Sequence, residues 1–367
     1  MINVALDVHV RNSFLKAQDA SGQLLAHGRA GNSLLELGQM LAPVERTARE
    51  DNQPVRVVME ATTNSRAVSH LLKQYGRQAD IDLTVDVLDP RKLRVIAEST
   101  AKCDRLDTQM LLDLAASNLK LPTCHVPDDQ VFALREHLRA RSDLVAVRTM
   151  LKNRTHAALH RRGILRPAKM DLFSKRGQQF LAEVELDDAG RRVVEQYGQA
   201  IGKLDELLAD SQKQLRDLSK QDHWREQVEL LLTMPGVGLI TAMTLLAELG
   251  DIDRFTCRSA VSNYASLVPV VRESNGRHSG GGRLVRGGNR HLRHVLVEAA
   301  WRAYPRVPAY QSIFERIALR RGKSIAIVAV ARRMLEDSWT MLKRKQPFRY
   351  ARPARCGSNE ARIERAG

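Results

Sequence analysis

Apolar and polar positions alternate from the start of the chain. Val4, Leu6 and Val8 fall on one side and Ala5 and Asp7 on the other, the period of two that a strand imposes. Residues 13–17 and 24–27 form two more short strands, joined by a turn around Ser21 and Gly22. From Leu34 to Glu50 the period becomes helical. Residues 55–59 are a fourth strand ending in Glu60, and 67–75 read as a helix closed by Gly76. Leu83 to Leu88 is a fifth strand, stopped by Asp89 and Pro90. A hairpin followed by strand, helix and strand predicts a mixed sheet covered by helices, an α/β domain over residues 1–120.

A Pro-containing linker over 121–127 precedes a helical stretch from Asp128. Its expected buried stripe is Leu134, Leu138, Leu144, Val147 and Leu151, with Arg135, Arg139, Arg141, Arg148, Lys152 and Arg154 on the other face. After a break at 163–167, a second long helix is expected over 176–219. Its Leu204, Leu207, Leu208, Leu215 and Leu218 are mixed with charges of both signs, so 121–220 reads as a helical, coiled-coil-like region. A mainly helical domain follows over 221–345: Met234-Pro-Gly-Val-Gly238 leads into a helix from Leu239 to Leu249, halted by Gly250. A glycine-rich break at 276–288 precedes helices over 289–303 and 324–342. Residues 346–367 read as a basic, flexible tail.

Composition narrows the partners. The 367 residues carry 58 Lys and Arg against 42 Asp and Glu, a net charge of +16, and such a field attracts polyanions, nucleic acid first among them. No apolar run approaches the length of a spanning helix and no secretory signal opens the chain, so no membrane is expected and a cytoplasmic location is. Cys103, Cys124, Cys257 and Cys356 lack metal-finger spacing, which argues against a zinc site.

Four acidic residues stand out. Asp7 interrupts an apolar strand, Glu60 ends another, and Asp104 and Asp107 share a helix face if 102–114 is helical. A charge in a buried strand costs several kcal/mol unless it is paired or bound to metal. Carboxylates gathered at one sheet edge suit Mg²⁺ or Mn²⁺, and two such ions would serve phosphoryl transfer. Asp107 as plain helix surface and Glu60 as a strand-edge charge are the alternatives. A second centre lies in 264–302, where Arg272, Arg277, Arg283, Arg286, Arg290, Arg293 and Arg302 face only Glu273 and Glu298. Arginine forks match phosphate oxygens, and glycine admits a close strand. Gly236 and Gly238, before a small-residue helix, could offer backbone amides to a phosphate, or be an ordinary turn and cap.

The pattern resembles the insertion-sequence transposases that join an N-terminal DEDD domain to a C-terminal conserved-serine domain, a family that includes Piv-like DNA invertases. The opening "DV" matches at Asp7, the strand ending in "E" at Met59-Glu-Ala-Thr-Thr63, and "K-T-D-x-x-D-A" at Lys102-Cys-Asp-Arg-Leu-Asp-Thr108. The stretch "L-A-E-L-G-D-I-x-R-F" is reproduced from Leu246 to Phe255, "G-L-x-P" becomes Ser266-Leu-Val-Pro269, and "G-N-x-x-L-R" is Gly288-Asn-Arg-His-Leu-Arg293. The resemblance spans nearly the whole chain and is weakest over 128–220. It implies a RuvC-like, RNase H type fold in domain one, with Asp7, Glu60, Asp104 and Asp107 holding divalent metal.

It further implies a serine nucleophile that takes the DNA end as a phosphoserine. Ser274 fits by distance from Pro269, although Asn275 separates it from Gly276. Ser279-Gly280 keeps the usual adjacent pair but lies five residues further on, so Ser279 is the runner-up. Lys102, Arg148, Lys152, Arg154, Gly236, Gly238, Asn289 and the arginines at 272, 277, 283, 286, 290 and 293 are the expected nucleic-acid contacts. The family implies DNA as substrate, a homo-oligomer such as a tetramer, and for many members a bridge RNA. Rival readings are a DNA invertase, a metal-dependent nuclease or junction resolvase that needs no serine, and a non-catalytic nucleic-acid-binding protein.

Overall fold

The structure is a computed structural model. It describes residues 1–90, 92–93, 104–117, 121–269, 272–274, 277–279 and 287–349, with the backbone alone for 104–107, 272–274 and 277–279. The chain forms two compact units, Met1–Val126 and Pro127–Gly367.

The first unit is a mixed α/β domain. Strands β1 (Ile2–Val8), β2 (Asn12–Gln18), β3 (Leu24–Gly31), β4 (Val55–Glu60) and β5 (Leu83–Leu88) form one sheet in the order β3-β2-β1-β4-β5. The β1–β2 and β2–β3 pairs are antiparallel, while β1–β4 and β4–β5 are parallel. The alternation read from Val4, Leu6 and Val8 fills one face, packed with Leu37, Leu41 and Val44 of α1 (Leu34–Glu50) and Val68 and Leu72 of α2 (Ser65–Gln78). Ala5, Val58 and Leu88 fill the opposite face against Leu111, Leu112 and Ala115 of α3 (Asp104–Ala116). Helices on both faces leave the two central parallel strands dry, as parallel pairing requires.

One boundary differs from expectation. Gly76 lies inside α2 and does not end it. A Cβ there would stand 2.8 Å from the Leu83 Cβ, so the glycine lets α2 approach β5 closely.

The second unit is mostly helical: α4 (Asp129–His160), α5 (Lys175–Glu183), α6 (Asp188–Ser219), α7 (Asp222–Leu232), α8 (Leu239–Leu249), α9 (Arg258–Tyr264), α10 (Arg290–Ala303), α11 (Pro308–Arg321) and α12 (Lys323–Arg344), with a short hairpin of β6 (Arg272–Ser274) and β7 (Arg277–Ser279). The helix expected over 176–219 is two helices, broken where Val184 turns to an extended backbone. Helix α11 adds to the expected elements: Pro308 occupies its first turn, where the missing N–H costs nothing, and Tyr310 and Phe314 are its buried contacts.

Helices α4 and α6 run antiparallel. His137 meets Ser211 at 2.9 Å, Arg148 meets Asp205 at 2.6 Å and Arg162 pairs with Asp187. The stripe expected along α4 holds only at Leu134 and Leu138; Val147 is exposed and Leu144 and Leu151 are half-buried. The helix is buried at its two ends instead. Val131, Leu134 and Leu138 join the main core with Leu245, Leu296 and Leu335, while Ala158 and Leu159 join a separate cluster with Leu172 and Val194.

Candidate functional site

Strand geometry gathers the acidic positions of the first unit. In the β1–β4 register Leu6 lies beside Met59, so Asp7 and Glu60 are the next neighbours at the C-terminal ends of two parallel strands. Alternation puts both on the face of Ala5 and Val58, the one α3 covers. Asp7 retains 22% side-chain exposure and its Oδ2 lies 3.2 Å from His9 Nε2. Glu60 is half-buried.

Two contacts fix the direction of α3. Arg56, level with Asn3 and bonded to Asp86 at 2.9 Å, donates to the Ala115 carbonyl at 3.3 Å. Lys16, level with Ala5, donates to Gln109. The helix therefore runs opposite to β1, and its first turns, with the backbone of Asp104 and Asp107, lie toward the strand ends that carry Asp7 and Glu60. Lys102 lies outside the described residues. Among the described residues no group of three or more His, Cys, Asp or Glu side chains is placed to hold a metal ion. The donors at this edge are hard oxygens, the chemistry that Mg²⁺ or Mn²⁺ takes.

Sequence reasoning missed two supporting features. Asp89, read only as a strand stop, stands half-buried one residue beyond β5 at the same edge. The loop after Asp7 is held by amides: Asn32 Nδ2 donates to the His9 carbonyl at 2.8 Å and Asn64 Nδ2 to the Val10 carbonyl at 2.7 Å.

In the second unit both candidate serines lie on the β6–β7 hairpin. Ser274 pairs with Arg277 beside the two-residue link, and Ser279 pairs with Arg272 at the far end. Asn275 and Gly276 lie outside the described residues. Both serines share ladder parity with Arg272 and Arg277. Arg283 and Arg286 lie outside the described residues.

The family-like stretches around the hairpin are joined by a buried carboxylate. Glu248, only 2% exposed, receives Arg139 in a two-pronged contact at 3.1 Å and lies 3.4 Å from Arg135. Asn289 donates to the same carboxylate at 2.6 Å while its own oxygen caps α10 by accepting from Leu292 N at 3.0 Å. Arg135 and Arg139, expected on the outer face of α4, thus turn inward. Asn289, expected to touch nucleic acid, has both amide atoms engaged within the protein. Arg254 stacks over Phe255 and Tyr264 at 4.1 and 4.5 Å, which explains the "R-F" that ends the 246–255 stretch.

The remaining predicted contacts divide. Arg148 is paired with Asp205, and Lys152 sits 4.6 Å over the Phe173 ring. Gly236 has φ +85, and a Cβ there would meet the Ala299 carbonyl at 2.5 Å; its absence is required by packing on α10. Gly238 is exposed at the start of α8. Arg293 is half-buried, while Arg154 and Arg290 face one groove together.

A family model described as Transposase IS116/IS110/IS902 family matches residues 228–314, and a DEDD transposase model of IS110 matches residues 4–162. The transposase for insertion sequence element IS1328 of Yersinia enterocolitica is 26% identical over 340 residues, 90% of this chain and 94% of that protein. The transposase for IS1111A of Coxiella burnetii is 27% identical over 280 residues, 73% of each chain. A pilin gene-inverting protein of Moraxella bovis is 28% identical over 124 residues, 33% of this chain and 38% of that protein. The mixed sheet with its helical second unit is therefore that of a DNA-recombining enzyme. The chain belongs to the DEDD-type IS110/IS1111 family of transposases and is related to the Piv-like pilin-inverting recombinases. Such DEDD-type enzymes typically use divalent metal. Among the described residues no helix is long and apolar enough to cross a membrane.

Proposed function

We propose that this transposase cuts and exchanges the DNA strands of an insertion sequence through a phosphoserine. The observation that carries the reading is the meeting of Asp7 and Glu60 at adjacent strand ends, on the face whose covering helix begins at Asp104. The sheet order supports an RNase H type, RuvC-like domain. Asp7, Glu60, Asp104 and Asp107 would hold Mg²⁺ or Mn²⁺, which when bound supplies charge neutralisation at the scissile phosphate.

Ser274 is the nucleophile and Ser279 its rival. The serine Oγ bonds to phosphorus as one P–O bond to a sugar oxygen breaks, and the proton lost by the serine balances the one gained by that leaving oxygen. A hydroxyl of the partner strand then attacks the same phosphorus and releases the serine. Arg272 and Arg277, its neighbours on the hairpin, neutralise phosphate charge. DNA contact, a homo-oligomer such as a tetramer, and guidance by a bridge RNA belong to the same proposal and rest on the family likeness and the net charge of +16.

The test is a strand-transfer assay on the element-end junction with its flanking noncoding RNA and Mg²⁺, with protein–DNA adducts trapped. An adduct formed by the native chain and Ser279→Ala, but lost in Ser274→Ala and Asp7→Ala, is the expected result. Metal-dependent cutting that survives both serine changes without an adduct would replace the recombinase with a nuclease.

A further inference from the structure

An open groove of about 870 Å³ runs between α4 and the first turns of α10, wholly within the second unit. Its two walls differ in chemistry. The α10 wall presents Arg290, His291 and His294, with Arg154 joining from α4. Arg154 and Arg290 are exposed, and their side chains, unlike those of Arg148 and Lys152, have no hydrogen bond, ion pair or ring contact among the described residues. Among the described residues Asp143 is the one carboxylate in the lining.

The α4 wall is neutral along most of its length. Thr149, Met150 and Asn153 stand there, on a helix that otherwise carries Arg139, Arg141, Arg148 and Lys152. Met150 is 46% exposed, an apolar surface available to a sugar or a base. Thr149 and Asn153 add uncharged hydrogen-bonding groups. A cationic wall facing a neutral, partly apolar one matches the two sides of one nucleic-acid strand: phosphates outside, sugars and bases inside. The volume is that of a small-ligand cleft, which admits a few nucleotides of one strand and not a duplex.

The geometry points to this groove as a seat for a single DNA strand, with its phosphates on Arg290 and Arg154 and its sugars and bases along Thr149, Met150 and Asn153. DNA is the occupant because Arg290 follows Ser279 by eleven positions in the sequence, so the α10 wall continues the segment that bears both candidate nucleophiles. That choice rests on the strand-exchange reading above.

The experiment measures fluorescence anisotropy of the full chain with labelled single-stranded DNA of about 16 nucleotides and with RNA of the same sequence. Thr149→Glu places a charge on the neutral wall at an exposed helical position, and Arg290→Glu reverses the other wall at a helix start that favours an acid. Each change is expected to weaken DNA binding about tenfold, while Lys213→Glu on exposed α6 has a much smaller effect. Unchanged binding by both groove variants, or an equal loss in Lys213→Glu, overturns the site. Tighter binding of RNA that the same two changes abolish overturns DNA as its occupant. The serine-adduct assay separates the two proposals: if Ser274→Ala loses the adduct while the groove variants bind normally, the groove fails and the recombinase stands.

Discussion

At the scale of single residues, Glu248 does more than its place in an apolar helix suggests. Between Leu246 and Leu249 it looks misplaced in α8; in the structure it joins α4, α8 and the start of α10 through Arg135, Arg139 and Asn289. Glu248→Ala leaves Arg135, 12% exposed, without its carboxylate. Removal of one partner from a buried pair costs about 3 kcal/mol, and a lowered urea midpoint with unchanged slope should show it. Ser266 has the opposite history. It replaces the glycine usual in "G-L-x-P", yet its φ is +51 and it is fully buried beneath Gly288, whose Cβ would meet its Oγ at 1.9 Å. Ser266→Val should cost about 2 kcal/mol or more, while Ser266→Gly stays within about 1 kcal/mol of the parent. Neither role was legible from spacing: the sequence marks both residues, but only the packed structure says whether a motif residue meets ligand or protein.

At the scale of elements, the sequence pattern located the strands well and the helix ends less well. The sheet was legible because short apolar runs, alternating in β1 and β5 and continuous over 57–59 in β4, are bounded by turn residues. The carboxylate pair was legible because Asp7 and Glu60 break those runs at their ends. The division at Val184 and the burial of α4 at its two ends were hidden, since they depend on what each helix meets and not on its own period. Gly76 shows the cost of close approach. Gly→Ala inside a helix usually stabilises by nearly 1 kcal/mol, but Gly76→Ala should destabilise by about 1–3 kcal/mol through Leu83, read as a fall in melting temperature.

The cluster where α4, α5 and α6 meet carries a pH response. Burial first, and then the charges of Arg166 and His160, hold the His156 imidazole below its ordinary range as it edges onto Phe173. The unfolded chain therefore takes up a proton before the folded one does. Stability is intact above the ordinary histidine pKa of about 6.5 and falls as pH drops through it toward the lowered folded value. Protection of the amides over 156–194, corrected for the intrinsic exchange rate, should fall as pH drops through about 6.5, and His156→Gln should flatten that fall.

For the whole molecule, the net charge of +16 predicts that affinity for nonspecific duplex DNA is largely electrostatic. With about six phosphates neutralised, binding should weaken about a thousandfold between about 50 and about 200 mM salt, and a salt titration checks it. Composition made this legible before any fold was known, whereas the distribution of the charge was not. Several arginines of α4 serve internal bonds, so a count of basic residues overstates the surface left for a polyanion.

The paired helices α4 and α6 also act as a ruler. Each has 32 residues, and contacts from His137–Ser211 to Arg162–Asp187 keep them in phase while the core anchors one end and a separate cluster the other. One residue inserted into α4 alone would turn everything beyond it by about 100° and shift the pairing by about 1.5 Å. Seven added to each helix, two full turns, would move the distant cluster outward by about 10 Å and leave its facing almost unchanged. The reach of that cluster can therefore change only in steps, and only when both helices change together.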